Sequence, residues 1–354
     1  MLLKNEKTLI VLSYFISCID VLTWQMRPLR LRRVVGLEGR ANDVVFCPAP
    51  RPVTPPQKLG ALVFFGGDVQ DYPEIMQAHR DYRNYLKYNL ENTARILGHS
   101  FPTKHILVVR PSRIEYKSFS CFDNFVPGNS AGVPDHAPTH NALLHLERYK
   151  HFSSENFQPW TVVTNIQLYK LSHNISKIIR FELNVCTIKR PGTRSPLWWR
   201  EGLRLEQCPL TLVGFSKGCV VLNQFIYEFH YANTLTPGDD HMKRLMSRIE
   251  AMYWLDGGHA GGKNTWLTAR SLLETLTRLN IKIFVHVSPY QVEDEERPWI
   301  GREERAFTAL LTKLGAQVKR YLHSQPGAPH SLHMHFEVLT AFATHARDDV
   351  TTLQ

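Results

Sequence analysis

The chain has 354 residues, of which 43% are hydrophobic and 21% are charged. This balance is typical of globular proteins and excludes both a disordered chain and a polytopic membrane protein. The net charge of +10 raises the question of nucleic-acid binding, but the sequence contains no basic helix, no zinc-ligand spacing and no aromatic RNA-binding motif. We therefore predict no nucleic-acid partner. The six cysteines include no C-x-x-C pair, which argues against a structural zinc site or a disulfide framework.

The first 45 residues are predicted to be a targeting or anchoring segment that precedes the fold. The apolar run LIVLSYFISCI at 9–19 is too short for a comfortable transmembrane helix. The stretch QMRPLRLRRVVGLEGR at 25–40 is Arg-rich and acid-poor, as in a mitochondrial presequence. We predict mitochondrial import, with a secretory route or a membrane anchor as the alternative. Residues 46–58 contain five prolines and are predicted to be a semi-rigid linker.

From residue 59 to residue 345, short apolar runs alternate with segments of helical periodicity. Strands are predicted within 60–70, 104–112, 208–216, 248–259, 281–292 and 316–324, and helices within 89–101, 140–149, 217–231, 265–280, 302–315 and 335–346. Such alternation predicts an α/β fold with a doubly wound, mostly parallel sheet. Residues 151–207 do not follow the alternation and are predicted to be an insertion or cap, and residues 346–354 a tail.

The segment LVGFSKG at 212–218 contains a G-x-S-x-G motif between an apolar strand and a helix. Glycines are needed in such a turn because larger side chains would clash where the backbone reverses sharply. The turn lifts the serine hydroxyl above the sheet and brings the next backbone N–H towards a developing oxyanion. We therefore predict Ser216 as a nucleophile and the amide of Lys217 as an oxyanion-hole donor. The alternative is an ordinary Gly-Ser turn that allows close strand–helix packing.

A nucleophilic serine needs a base and an acid that orients the base. In the α/β-hydrolase fold the acid and then the histidine follow the serine along the chain. Asp294, after the fifth predicted strand, is the predicted acid, and Asp256 is the alternative. His335, just before the last predicted helix, is the predicted base, with His333 and then His330 as alternatives. No carboxylate–His helical pair accompanies these histidines, so we predict no metal and no other cofactor.

A second oxyanion donor is expected from the glycine turn that follows the first predicted strand. The amide of Asp68 or Val69, directly after Gly67, would occupy this position. The carboxylate of Asp68 is unusual there, because it would repel an oxyanion unless it were turned away. It would then bind substrate or stabilise the loop.

Five blocks of sequence carry a resemblance to a known family. They are FFGGDVQDYPEIM, FSCFDNFVP, LVGFSKGCVVLNQ, MYWLDGGHAGGKNTW and PYQVEDEERPWIG. In this order they closely resemble the animal family named after the product of human chromosome 2 open reading frame sixty-nine, over roughly residues 59–150 and 208–340. The resemblance implies an α/β-hydrolase-like domain behind a mitochondrial targeting region. Carried over by position, it implies a triad of Ser216, Asp294 and His335.

These features predict a serine hydrolase of the esterase, lipase or thioesterase type. Its substrate would be a small-molecule or lipid-like acyl ester or thioester. The alternative is a catalytically inactive α/β-hydrolase fold that serves as a mitochondrial binding or scaffold protein, which the carboxylate of Asp68 beside the oxyanion hole favours. A protein partner and a peripheral membrane contact remain open.

Overall fold

The computed structural model describes residues 28–50, 59–130, 132–149, 205–235, 237–324, 327 and 329–351. The predicted cap at 151–207 lies outside these residues except for its last three. The first 27 residues of the predicted targeting segment and most of the predicted linker also lie outside them.

Eight of the strands in the described residues form one mixed sheet. In chain order the strands are β1 (Leu29–Val35), β2 (Ala41–Cys47), β3 (Gly60–Phe65), β4 (Lys104–Val109), β5 (Arg113–Glu115), β6 (Phe119–Cys121), β7 (Leu210–Phe215), β8 (Ile249–Leu255), β9 (Lys282–Val287) and β10 (Val318–Leu322). The sheet order is β1-β2-β4-β3-β7-β8-β9-β10, while β5 and β6 pair as a separate hairpin. Within this order, the six strands β4, β3, β7, β8, β9 and β10 run parallel to one another, whereas β2 is antiparallel to both β1 and β4. This is the topology of the α/β-hydrolase fold, and the predicted fold class is confirmed.

Helices cover both faces of the sheet. The α-helices of the described residues are α1 (Pro73–Ala78), α2 (Leu90–Ser100), α3 (Ala142–Arg148), α4 (Cys219–Leu235), α5 (Asp240–Ser247), α6 (Arg270–Arg278), α7 (Pro289–Val292), α8 (Pro298–Lys313) and α9 (Leu332–Thr351). Helices α2 and α9 contact each other and the sheet, and α4, α6 and α8 form a second packed group. Neighbouring residues Phe64 and Phe65 of β3 are both fully buried. Since successive side chains of a strand point to opposite faces, both faces carry a core.

Residues 29–47 lie within the fold, so the predicted domain start at residue 59 is too late. Strand β2 pairs with β4, and its residues Val44, Val45 and Phe46 are buried. Strand β1 covers the outer edge of β2. At the other end, α9 continues to Thr351, beyond the predicted end of the domain at residue 345.

The composition of β1 explains the wrong boundary. Its sequence LRLRRVV is rich in Arg and poor in acids, which is also the composition of a presequence. In the folded chain Arg30 pairs with Glu74 and Glu91, and its guanidinium lies 4.3 Å from the centroid of the Tyr72 ring. The acids that neutralise Arg30 are therefore supplied by α1 and α2, more than forty residues away in sequence.

Two valine variants test whether residues 29–47 belong to the cooperative unit. Val45→Ala removes methyl groups from the core and should lower the free energy of unfolding by about 2 kcal/mol. Val35→Ala, at the end of the neighbouring strand β1 but 62% exposed, should change it by less than about 0.5 kcal/mol. Urea unfolding of the two proteins measures both changes. Equal, small effects would contradict the assignment of β2 to the folded domain.

Candidate active site at the carboxyl edge of the sheet

Three residues that follow neighbouring parallel strands adopt strained backbone conformations. Val69 has a φ of 73°, Ser216 of 52° and Asp256 of 48°. Residues other than glycine rarely occupy this left-handed region, and a β-branched residue such as Val69 is a clear outlier there. Such strain concentrates at functional sites, and open α/β sheets bind ligands beyond the carboxyl ends of their strands. The ends of β3, β7 and β8 therefore form the candidate active site.

The G-x-S-x-G motif forms a tight turn between β7 and α4. A β-carbon on Gly218 would lie 2.0 Å from the carbonyl oxygen of Phe65, and one on Gly214 would lie 2.9 Å from Cα of Cys219. The two glycines are thus required by close backbone approach. Close packing alone does not require strain at the central residue, whereas a nucleophile elbow does. The positive φ of Ser216 is the conformation expected of a nucleophile elbow.

A buried histidine and a buried carboxylate are joined beside this turn. Nδ1 of His335, in the first turn of α9, donates a hydrogen bond to Oδ2 of Asp256 at 2.7 Å. The imidazole also stacks on the ring of Phe215, the residue before Ser216, with centroids 4.6 Å apart. When Nδ1 carries the proton, Nε2 has a free lone pair. The histidine can therefore accept a proton at Nε2 while the carboxylate stabilises the resulting cation.

Ser288 fixes the carboxylate of Asp256. The backbone N–H of Ser288 donates to Oδ1 at 2.7 Å, and its hydroxyl donates to Oδ2 at 2.5 Å. The backbone N–H of Asp256 donates to the carbonyl oxygen of His286 at 2.7 Å, and that of Gly258 donates to the carbonyl oxygen of Ser216 at 3.3 Å. These bonds connect the ends of β7, β8 and β9.

Asp294, the acid predicted first, does not contact His335. Its carboxylate accepts a hydrogen bond from Nε of Arg297 at 2.7 Å and from the backbone N–H of Glu296 at 2.8 Å. Desolvation is the largest single influence on the Asp294 carboxyl and raises its pKa, but the bonds from Arg297 and Glu296 together outweigh it and keep this pKa below its usual value. Asp294 therefore caps the turn before α8. Asp256, the alternative, lies beside the histidine.

Of the three histidines, the structure brings only His335 to the carboxyl edge among the described residues. His330 lies 3.9 Å from a carboxylate oxygen of Glu293, and His333 lies 3.2 Å from one of Glu337, one turn along α9, so a carboxylate–His helical pair is present, contrary to the expectation from the sequence. Both side chains are about half exposed or more, whereas His335 is buried. Of the three, His335 has the burial and the carboxylate contact that the predicted base requires.

The loop after β3 packs closely against Ser216. A β-carbon on Gly67 would lie only 2.7 Å from Cβ of Ser216. The N–H of Gly67 donates to Oε1 of Gln70 at 2.9 Å, and that of Val69 donates to the carbonyl oxygen of Ser118 at 3.0 Å. Val69, predicted as an alternative oxyanion donor, is therefore engaged elsewhere. Among the described residues, the N–H of Asp68 has no hydrogen-bond acceptor.

The side chain of Asp68 is turned to the β5–β6 hairpin. Its Oδ1 accepts a hydrogen bond from the backbone N–H of Ser120 at 2.7 Å, and the Ser120 hydroxyl donates to the carbonyl oxygen of Gly67 at 2.9 Å. Burial raises the pKa of the Asp68 carboxyl, against the opposing effects of Lys217, Ser120 and His335. The carboxylate that is unusual in the sequence thus anchors the loop.

The supporting residues Gln70, Ser120 and Ser288 were not singled out by the sequence. Ser288 follows β9 directly, so a polar residue at the carboxyl end of a strand near the candidate nucleophile is the signal that could have found it.

In the part of the chain that the structure describes, no group of three or more His, Cys, Asp or Glu side chains could hold a metal ion. No helix there combines the length and hydropathy needed to cross a membrane.

Comparison with known proteins gives a consistent match over most of the chain. A family model described as C2orf69 matches residues 30–317. The mouse protein named mitochondrial protein C2orf69 homolog is 35% identical over 332 residues, which cover 88% of this chain and 87% of the relative. Human mitochondrial protein C2orf69 is 36% identical over 319 residues, which cover 87% and 80%. The names of these relatives confirm the predicted mitochondrial location.

Solved structures of esterases show a more distant likeness. A thermostable esterase is 12% identical with a TM-score of 0.41, and the alignment covers 93% of this chain but only 63% of the esterase. An esterase from Rhizomucor miehei is also 12% identical, with a TM-score of 0.42 and coverage of 95% and 89%. Likeness at this level does not bear on individual residues of the site.

Two glycine variants test the close approach at the turn. Gly218→Ala would place a β-carbon 2.0 Å from a backbone oxygen of β3, which cannot move without disturbing the sheet. We expect it to lower the free energy of unfolding by about 3 kcal/mol or more. Gly262→Ala, in a loop with no heavy atom within 4 Å of the new β-carbon, is the matched control and should cost less than about 0.5 kcal/mol. Comparable losses in urea unfolding would contradict the tight turn.

Proposed function

The chain belongs to the C2orf69 family, and from the geometry of its site we propose that it is a mitochondrial serine hydrolase that cleaves an acyl ester or thioester. The observation that carries the proposal is the hydrogen bond between Nδ1 of His335 and Oδ2 of Asp256, beside the strained Ser216. A serine, a histidine and a carboxylate in these relations are the constellation of nucleophilic acyl transfer, whichever fold presents them. We assign the three residues the roles that they have in this constellation.

The first chemical step is attack by Ser216 on the substrate carbonyl. Oγ of Ser216 forms a bond to the carbonyl carbon while Nε2 of His335 takes the hydroxyl proton. Asp256 accepts the hydrogen bond from Nδ1–H of His335, so the ring keeps its proton at Nδ1 and its free lone pair at Nε2. The negative charge of Asp256 then stabilises the imidazolium that forms. Among the described residues the Ser216 hydroxyl makes no hydrogen bond, so contact between Oγ and Nε2 belongs to the reacting complex.

The negative charge that develops on the carbonyl oxygen needs hydrogen-bond donors that are already in place. The backbone N–H groups of Lys217 and Asp68 are proposed as these donors. Lys217 follows the nucleophile directly, and the loop that carries Asp68 touches Ser216 through Gly67. Both amides lie on rigid turns at the ends of neighbouring strands, as such donors require.

Three proton transfers complete the cycle. When the tetrahedral intermediate collapses, the imidazolium of His335 gives its proton to the leaving alcohol or thiol, and an acyl-enzyme remains on Ser216. A water molecule then gives a proton to Nε2 as it attacks the acyl carbon. When this second intermediate collapses, the bond between the acyl carbon and Oγ breaks, His335 returns the proton to Oγ of Ser216, and the carboxylic acid leaves.

Labelling with a fluorophosphonate tests the nucleophile. The probe forms a bond to an activated serine, so the wild-type protein should be labelled and Ser216→Ala should not. Ser271→Ala, at an exposed serine of α6, is the control and should be labelled like the wild type. Thermal unfolding confirms that each protein is folded. A folded wild-type protein that takes no label would refute the hydrolase and favour a binding or scaffold role.

Substitution of the two competing acids tests the charge partner of His335. Asp256→Asn removes the carboxylate that holds Nδ1–H, and should lower turnover of a short activated ester by about 10³-fold or more. Asp294→Asn changes a carboxylate that is bonded to Arg297 and Glu296 rather than to His335, so turnover should stay within about twofold. The reverse order of effects would assign the acid to Asp294.

A further inference from the structure

Two charged side chains with little exposure to water flank the candidate nucleophile. Lys217 follows Ser216 in the chain, and only 1% of it is exposed. Asp68 follows Gly67, where an added β-carbon would lie 2.7 Å from Cβ of Ser216, and Asp68 is partly buried, with burial the largest influence on the pKa of its carboxyl. Charges are rarely buried in proteins unless they are paired. Their location on both sides of one hydroxyl calls for a physical reason.

Both side chains end at strand β6. Oδ1 of Asp68 accepts the hydrogen bond from the N–H of Ser120. Cε of Lys217 and the carbonyl oxygen of Ser120 lie 3.0 and 3.1 Å from the position of a β-carbon on Gly132, and Nζ lies 5.7 Å from the centroid of the Phe119 ring. Both side chains thus approach β6 at residues 119–120, where Asp68 is bonded to Ser120 and the ammonium of Lys217 lies near the Phe119 ring.

The carboxylate has a cost for the chemistry that the site is proposed to perform. The backbone N–H of Asp68 is the proposed oxyanion donor, so the negative side chain of the same residue lies close to where negative charge develops in the transition state. Like charges repel more strongly in a partly dry site than in water. A cation beside the carboxylate removes this repulsion.

We propose that the ammonium of Lys217 neutralises the carboxylate of Asp68, so that the oxyanion hole can stabilise negative charge while Asp68 anchors the loop to β6. This inference rests on the proposed function. Lys217 then has two separate roles. Its backbone N–H donates to the oxyanion, and its side chain acts indirectly by neutralising the carboxylate of Asp68. Consistent with mutual attraction, burial lowers the pKa of Lys217 while Asp68 opposes the change.

A purely structural ion pair would behave differently from a pair that serves the oxyanion. If the pair only stabilised the fold, loss of either partner would leave one buried charge and the two losses would be similar. If the pair serves the oxyanion, loss of the cation leaves a harmful negative charge, whereas loss of the carboxylate leaves a positive one. The two single variants should therefore differ in activity.

The test compares Lys217→Met, Asp68→Asn and the double variant in the full chain. The readouts are the rate constant of fluorophosphonate labelling at Ser216, and kcat and KM for a neutral short-chain ester. Lys217→Met should lower kcat and the labelling rate about 30-fold or more, with KM changed less than about threefold, because the effect is confined to the transition state. The loss in Asp68→Asn should be at least about fivefold smaller, and the double variant should react at least about tenfold faster than Lys217→Met.

Two further comparisons keep the test independent of folding defects. Lys313→Met removes an exposed lysine at the end of α8 and should leave all rates unchanged. If Lys217→Met does not fold, Lys217→Arg, which keeps the charge, should react at least about tenfold faster than Lys217→Gln, which is polar but neutral. Thermal unfolding shows which proteins are folded under the assay conditions.

Each remaining outcome overturns one of the two proposals in a recognisable way. A labelled wild-type protein whose single variants lose equal activity, with no gain in the double variant, would make the pair structural and overturn the inference. A Lys217→Met protein with wild-type rates would overturn it as well. A folded wild-type protein that takes no label would instead overturn the proposed hydrolase, and with it the inference.

Discussion

The buried carboxylate of Asp256 holds the candidate site together. It accepts two hydrogen bonds from Ser288 and one from His335, and it is fully shielded from water. Hydrogen bonds to a charged acceptor contribute about 1.5–3 kcal/mol each, and a buried charge that loses a partner is strongly destabilising. The end of β8, the residue after β9 and the first turn of α9 are therefore constrained to meet at one point. The position of His335 relative to Ser216 follows from this constraint.

Much of the fold could be predicted because five of its six parallel strands are buried on both sides. Such strands are continuous apolar runs, and β3, β4, β7, β8 and β9 all lie within runs of this kind. Strand β1 could not be found in this way, since it is an antiparallel edge strand with charged residues on one side. Its Arg30 is satisfied by Glu74 and Glu91, which are close only after folding. Composition alone does not distinguish this strand from a presequence.

The site could be predicted in part, for a similar physical reason. Ser216 has a local motif, and His335 lies at the start of the last helix, so both could be proposed from the sequence. The acid has no local signature. The partners of Asp256, Ser288 and His335, are 32 and 79 residues away, whereas Asp294 finds Arg297 only three residues along the chain. A sequence shows that a carboxylate is near a strand end, but whether it is already satisfied by a neighbour depends on tertiary contacts.

The strain at the carboxyl edge requires support from the rest of the sheet. Three strained backbone positions cost of order 1–3 kcal/mol each, which is a large share of the net stability of about 5–15 kcal/mol of an ordinary domain. The strained residues follow β3, β7 and β8, which are adjacent parallel strands with continuous backbone pairing. Relaxation at Ser216 would disturb the pairing of β7 on both sides and the contact of Gly218 with Phe65. The sheet thus keeps the amides and side chains of the edge in place before any substrate arrives, which is the condition under which such groups can stabilise a transient charge.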